Sequence, residues 1–184
     1  IAHHIKRLLN GANNITLDEN DVDELVLPQE RKQGWQFTEQ QKDGIKAIIH
    51  SNVVVIRGYG GTGKSSSVAG LLSCLDEEYS FVQCALSGKA SVNLRDITGK
   101  NGSTIHTLLG YNPEGGFKHT ERDPLMADMV ILDEASMVDI GLFLSLISAI
   151  RTGSKLVMLG DTNQLEAIGV GNVLMDLIDS ELVP

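Results

Sequence analysis

The sequence predicts an α/β fold in which a mostly parallel sheet carries helices on both faces. Three observations predict it. Four near-continuous apolar runs, at residues 53–56, 81–86, 129–132 and 156–159, have the composition of strands buried on both sides. Stretches with apolar residues at helical spacing separate them, the alternation expected of parallel strands joined by helical crossovers. Finally, Gly58, Ser87, Asp133 and Asp161 follow directly on the four runs, so residue types able to meet a ligand collect at the carboxyl edge of the sheet.

Each element has its own warrant. Ile1, Ile5, Leu8 and Leu9 form an apolar helical stripe that leaves Lys6 and Arg7 to face water. Residues 18–24 are acidic and poor in apolar side chains, and read as a solvated linker or short surface helix. Pro28 and Gly34 punctuate the approach to the core, which sets a boundary near Gly34: a leading helix and acidic linker over 1–33, then one α/β domain over 34–184. A helix over 38–50 turns Ile45, Ile48 and Ile49 inward, and the strand at 53–56 follows. Val68, Leu71, Leu72 and Leu75 recur at i, i+3, i+4 and i+7 in a helix beginning at Lys64. The strand at 81–86 leads into a helix over 87–97 with Ala90, Leu94 and Ile97 on one side, then a short helix over 104–109. Beyond the strand at 129–132, Phe143, Leu146, Ile147 and Ile150 stripe a helix that precedes the strand at 156–159. There is no internal repeat or low-complexity tract.

Bulk composition narrows the possibilities. A chain of 184 residues with 42% hydrophobic content suffices for one buried core and is too short for two full domains of this kind. Cys74, in a helix, and Cys84, in a strand, read as small core residues rather than a disulfide or metal set, which suits a reducing cytoplasm. No apolar stretch reaches membrane-spanning length, and the first residues lack the pattern of a signal peptide, so no membrane partner is expected. The net charge of −9 argues against a generally sticky nucleic-acid binder but leaves room for a narrow basic track. His3 and His4 have no ligand partners at useful spacing and read as surface residues. Ile1 is not a natural start residue, so a longer parent chain is expected.

The chemistry begins at Gly58-Tyr59-Gly60-Gly61-Thr62-Gly63-Lys64-Ser65, which fits the phosphate-loop pattern G-x-x-x-x-G-K-[ST] with a strand before it and a helix behind. Gly58, Gly60, Gly61, Thr62 and Gly63 would turn backbone N–H groups around a triphosphate, and the helix adds the positive end of its dipole through Ser65 and Ser66. Lys64 supplies a point charge for the outer phosphates, and the Ser65 hydroxyl is placed to ligate Mg2+. Downstream, Asp133 and Glu134 end a buried strand. Asp133 would hold the magnesium, and Glu134 would orient or deprotonate the attacking water. An acidic strand end can equally cap the next helix, which Ser136 or Asp139 could start.

Neighbouring classes fit less well. Signalling GTPases place a glycine three residues after their aspartate, where this chain has Ser136, and there is no N-K-x-D guanine-reading motif. Leu86-Ser87-Gly88-Lys89 only half matches the Leu-Ser-Gly-Gly signature of transporter ATPases. A third signal, Gly160-Asp161-Thr162-Asn163-Gln164-Leu165, follows the last strand.

With that segment the chain resembles superfamily 1 DNA helicases, and most specifically the RecD family. The resemblance runs from about Gly34 to Leu182 and implies the first RecA-like domain of a two-domain phosphate-loop ATPase. It implies that Gln164 senses the terminal phosphate and that Gln41, in Phe37-Thr38-Glu39-Gln40-Gln41, hydrogen-bonds adenine and selects ATP. Thr38 and Gln41 are also spaced as a capping box, a structural account of the same residues. Ala85 to Ala90 is similar to a family segment that contacts DNA, with Leu86 for its proline and Ser87 for its threonine. Ser103 to Tyr111 is similar to a second one. Ser87, Gly88, Lys89, Ser103, Thr104 and His106 are therefore the implied contacts to single-stranded DNA, with hydroxyls, helix N-termini and a lysine suited to phosphates. Glu166-Ala167 stands where the family often has two prolines.

The resemblance further implies duplex unwinding with 5′ to 3′ movement, a second RecA-like domain beyond Pro184 that completes the ATP site, and membership of a nuclease-helicase complex as one option. Two other readings stay open on the residues: an AAA-type remodeller or loader with Asn163 as polar sensor, and a non-hydrolysing nucleotide-binding module.

Overall fold

The computed structural model describes residues 1–15, 22–58, 63–75, 79–161, 173–180 and 182–184, the side chains of 73 and 74 excepted. Five parallel strands form one sheet in the order β1 (Val53–Arg57), β7 (Lys155–Gly160), β6 (Met129–Asp133), β2 (Phe81–Ala85), β3 (Gly102–Thr104). A two-stranded antiparallel hairpin, β4 (Tyr111–Asn112) with β5 (Gly116–Phe117), stands apart from it. The four expected strands are present, and β3 adds a fifth.

Alternation along the strands sorts the core into two layers. Val53, Val130, Leu132, Leu156 and Met158 face one cluster, filled by α1 (Ala2–Leu9), α6 (Ile105–Leu108), α7 (Ile140–Ala149) and α8 (Val173–Asp179). Val54, Met129, Ile131, Val157 and Leu159 face the other, filled by α2 (Val22–Gln33), α3 (Glu39–His50), α4 (Lys64–Leu75) and α5 (Gly88–Thr98). Both faces are thus covered, as near-continuous apolar strands require.

Packing crosses the expected boundary at Gly34. Ile5 and Leu8 belong to the first core layer, while Ile15, Val22 and Val26 belong to the second. Residues 22–24 open α2, which continues through Pro28 to Gln33 and buries Val22, Val26 and Glu30. The expectation that Pro28 precedes the ordered core is thereby corrected: proline removes one helical hydrogen bond, and the buried face of α2 compensates. Of residues 18–24, those up to 21 lie outside the described residues.

Three smaller expectations change. Arg7 is half-buried rather than free in water; it donates to Thr152 Oγ1 at 2.9 Å and to the Ile147 carbonyl at 3.0 Å, near the end of α7 where carbonyls lack helical partners. His4 is half-buried beside His3, its Nδ1 without a hydrogen-bond partner and its pKa lowered first by burial. Ile97 is 40% exposed in the last turn of α5, where Thr98 instead bonds with Gln83. Cys84 is a core residue as expected, and burial pushes its thiol up to about 12. The side chain of Cys74 lies outside what is described.

Candidate functional site

The carboxyl edge of the sheet gathers the chemistry. At the end of β1, the Gly58 N–H donates to the Gly160 carbonyl of β7 at 3.2 Å, which fixes where the chain leaves the sheet. Residues 59–62 lie outside the described residues, and with them Gly60, Gly61 and Thr62. The loop reappears at Gly63, whose φ of 82° is left-handed and favours glycine. Its carbonyl accepts from the Ser67 N–H at 3.0 Å and from Gln41 Nε2 at 3.4 Å, tying the loop to both α4 and α3.

Lys64, Ser65 and Ser66 form the first turn of α4, half-buried and with no acidic residue among them. The positive end of the helix dipole is therefore not offset within that turn. The Lys64 ammonium donates to the Gly58 carbonyl at 2.5 Å, back toward the end of β1. It also acts electrostatically on Asp133 at the tip of β6.

Burial raises the Asp133 carboxyl, against the opposing pull of the Glu134 N–H and the Lys64 charge. That N–H reaches Asp133 Oδ1 at 2.8 Å. Glu134 has φ 55° and ψ 37°, the only left-handed non-glycine among the described residues. Such a conformation costs of order 1–3 kcal/mol and persists where the surroundings impose it. Burial and the Asp133 charge push the Glu134 carboxyl up, and the nearby Ser87 hydroxyl pulls it down. The helix start expected at Ser136 or Asp139 falls at Asp139, whose Oδ1 accepts from the Gly141 and Leu142 N–H groups.

Ser87 follows from the topology. Strand β2 lies beside β6, with Ala85 opposite Asp133, so the first residues beyond the two strands converge. The Ser87 side chain also caps α5 by accepting from the Ala90 N–H at 3.1 Å. Gly88 and Lys89 are exposed in the same first turn. On the other side of β2, Ala85 pairs with Thr104, which caps α6 by accepting from the Thr107 N–H at 3.2 Å. Ser103 precedes it in β3, and His106 is exposed in the turn that follows.

The structure therefore brings Ser87, Gly88, Thr104 and the start of α6 onto neighbouring strand ends beside Glu134. Gln41 sits against the loop, engaged in the complete capping box with Thr38 as well as with Gly63. Gln164 lies outside the described residues. Sequence reasoning missed that Ser87 and Glu134 fall on adjacent strand ends, for which the only signal was a serine just past a strand. It also missed that Asp161 is buried and that Tyr111 and Phe117 surround His106. No group of His, Cys, Asp and Glu fit to hold a metal by itself occurs among the described residues, and no described helix is long and apolar enough to cross a membrane.

A five-stranded parallel sheet between two helical layers, with a glycine loop, a lysine and an acidic pair on its carboxyl edge, defines a RecA-like phosphate-loop domain. The chain belongs to the AAA_30 family of AAA domains, whose model matches residues 36–183. It is similar to the ATP-dependent RecD2 DNA helicase of Deinococcus radiodurans, 37% identical over 158 residues, which is 84% of this chain and 21% of that protein. It is also similar to the RecBCD enzyme subunit RecD of Mycolicibacterium smegmatis, 30% identical over 167 residues, 77% of this chain and 30% of the relative. The chain thus spans less than a third of the length of these relatives.

Solved structures share the fold. The Pif1 helicase of Candida albicans matches with a TM-score of 0.56 at 23% identity, over 72% of this chain and 34% of that one. The UvsW helicase of bacteriophage T4 matches with a TM-score of 0.61 at 14% identity, over 91% and 67%.

Proposed function

We propose that this chain is the first motor domain of a RecD-like DNA helicase, an enzyme that couples ATP hydrolysis to movement along single-stranded DNA and to duplex unwinding. The observation that carries the reading is that β2 and β6 are neighbours with Ala85 opposite Asp133, which sets the candidate DNA contact Ser87 and the candidate base Glu134 on adjacent strand ends. The two halves of the chemistry thereby meet on one edge of the sheet. The similarity to RecD2 and RecD proteins supports the same reading.

In this proposal the N–H groups at the start of α4 and the Lys64 ammonium bind the phosphates of ATP. The Ser65 hydroxyl and the Asp133 carboxylate are hard oxygen donors and fit Mg2+, the first at the loop and the second near Lys64. Bound there, the ion would neutralise charge on the transferred phosphate. Glu134 holds a proton-accepting oxygen beside that site, oriented by its backbone conformation and by Ser87. Gln41, held beside the loop, hydrogen-bonds the adenine and selects ATP, and Gln164 senses the terminal phosphate. Ser87, Gly88, Lys89, Ser103, Thr104 and His106 meet single-stranded DNA, mainly through phosphates. The reading includes a leading segment at 1–33 and a motor domain over 34–184, a second RecA-like domain that completes the ATP site, a cytoplasmic setting, and nuclease-helicase subunits as partners.

The test titrates a fluorescent single-stranded oligonucleotide with this chain at low salt, with and without a magnesium-bound ATP analogue. Binding that changes with the analogue in the wild type and not in Lys64→Ala is the expected result. Analogue binding that leaves DNA affinity unmoved, or DNA coupling that survives Lys64→Ala, would overturn it.

A further inference from the structure

Two asparagine–glycine pairs occur in the chain, Asn10-Gly11 and Asn101-Gly102. In such a pair the glycine nitrogen can attack the asparagine side-chain carbon, because glycine has no Cβ to shield the approach. The fold holds the two pairs differently.

Asn10 ends α1 at φ −87° and ψ −3°, and the Gly11 N–H donates to the Leu8 carbonyl at 3.1 Å. The Gly11 carbonyl accepts from Asn52 Nδ2 at 2.8 Å, and a Cβ on Gly11 would lie 2.7 Å from the Gly153 nitrogen. The attacking nitrogen is thus engaged, and freeing it would undo packing at the amino edge of the sheet.

Asn101 stands between two fixed points. On one side the buried Gln83 donates through Nε2 to the Lys100 carbonyl at 2.6 Å and to Thr98 Oγ1 at 2.9 Å. On the other, Gly102 is the first residue of β3, a three-residue strand at the edge of the sheet. Asn101 itself is exposed. The end of a short edge strand opens at low cost, and each opening frees the Gly102 nitrogen beside the Asn101 amide.

We propose that Asn101 is a site of spontaneous deamidation in the folded protein, a covalent modification from which Asn10 is shielded. A base takes the Gly102 amide proton, the nitrogen bonds to Asn101 Cγ, and the Cγ–Nδ2 bond breaks with release of ammonia. Water then opens the cyclic imide at either carbonyl, leaving aspartate or isoaspartate, with no change of oxidation state. Both products place a carboxylate at the start of β3, and isoaspartate adds a methylene to the backbone between the two fixed points.

The test incubates the chain at neutral and mildly alkaline pH and follows both asparagine peptides by mass spectrometry, with isoaspartate detected by enzymatic methylation. The Asn101 amide is lost roughly tenfold or more ahead of the Asn10 amide, and faster at the higher pH because the first step is a deprotonation. In urea, where neither pair is held, the two convert at similar rates. Asn101→Gln, whose longer side chain disfavours the ring, removes the product formed in the folded chain. Conversion of Asn10 at the pace of Asn101 in the folded chain would overturn the proposal, as would persistence of the Asn101 amide there over a period in which both pairs convert in urea.

Discussion

Gln41 bridges the cap of α3 and the end of the phosphate loop: its Oε1 accepts from the Thr38 N–H at 2.9 Å, while its Nε2 donates to the Gly63 carbonyl at 3.4 Å. Both ends of the amide have partners within the protein. A structural role and a nucleotide-proximal position therefore coexist in one side chain, and the helix that precedes β1 is mechanically tied to the loop that follows it.

That tie sets the behaviour of Gly63. A Cβ added there would lie 2.3 Å from Gln41 Nε2, on a backbone already at φ 82°. Gly63→Ala should lose about 1–2 kcal/mol from the left-handed conformation alone, with more from the clash. Gln41→Ala removes a capping-box member and should lose ~1 kcal/mol. The double variant should lose less than the sum, because removing Gln41 relieves the clash. Urea unfolding of the four proteins checks this, and strict additivity would contradict the contact.

Ser87 performs two tasks with one hydroxyl, and its removal should show both. Ser87→Ala deletes the cap of α5, for a loss of ~1 kcal/mol. It also removes the hydroxyl that pulls the Glu134 carboxyl down, so that carboxyl should titrate at higher pH than in the wild type. Ser87→Thr keeps a hydroxyl and should retain both properties. Carboxyl carbon shifts followed by NMR across the acidic range separate the outcomes.

How far these features were visible beforehand depends on what each residue does. The runs at 53–56, 81–86, 129–132 and 156–159 were legible because strands buried on both faces must be apolar throughout. Strand β3 was not, since Gly102, Ser103 and Thr104 are half-buried, and Gly102 is held where a Cβ would meet the Ser91 carbonyl at 3.0 Å. Helix α2 was obscured because its apolar face needs only Val22 and Val26, set among acidic and basic residues. Lys64, Asp133 and Glu134 could be read because a phosphate demands a fixed spacing. The approach of Ser87 to Glu134 depends on which strands are neighbours, and strand order is not written in local pattern.

Asp128 ties together the opposite, amino edge of the sheet. Its Oδ2 accepts from the Ser80 N–H at 2.9 Å and from the Ser80 hydroxyl at 2.7 Å, and its Oδ1 accepts from Arg151 Nη2 at 3.1 Å. Burial raises its pKa, but the Ser80 bonds and the Arg151 charge outweigh that, so the folded carboxyl lies below its ordinary 3.8. A depressed folded pKa contributes stability that is present above 3.8 and lost as pH falls through the folded value. Asp128→Asn should therefore destabilise by about 1–3 kcal/mol near neutrality, and the gap to wild type should narrow only in the acid range. Denaturation midpoints of both proteins between neutral and acid pH decide it.

Lys155 opens β7 yet is fully buried, its Nζ donating to the Ile49 and Ser51 carbonyls at 3.0 Å each, at the end of α3. The ammonium satisfies carbonyls that the helix leaves unpaired and meets the negative end of its dipole. Burial nevertheless lowers the pKa from 10.5 to about 8. Between those two values the unfolded chain keeps the proton and the folded chain releases it, so stability from this group rises with pH across that window. Below about 8 both states are protonated and the cost of burying the charge is carried in full. Lys155→Met has no such titration. The melting temperature of the wild type relative to Lys155→Met should be flat from pH 6 to about 8, then climb in favour of the wild type toward pH 10. A difference that stays constant over the whole range would show that the two carbonyls hold the charged form as well as water does.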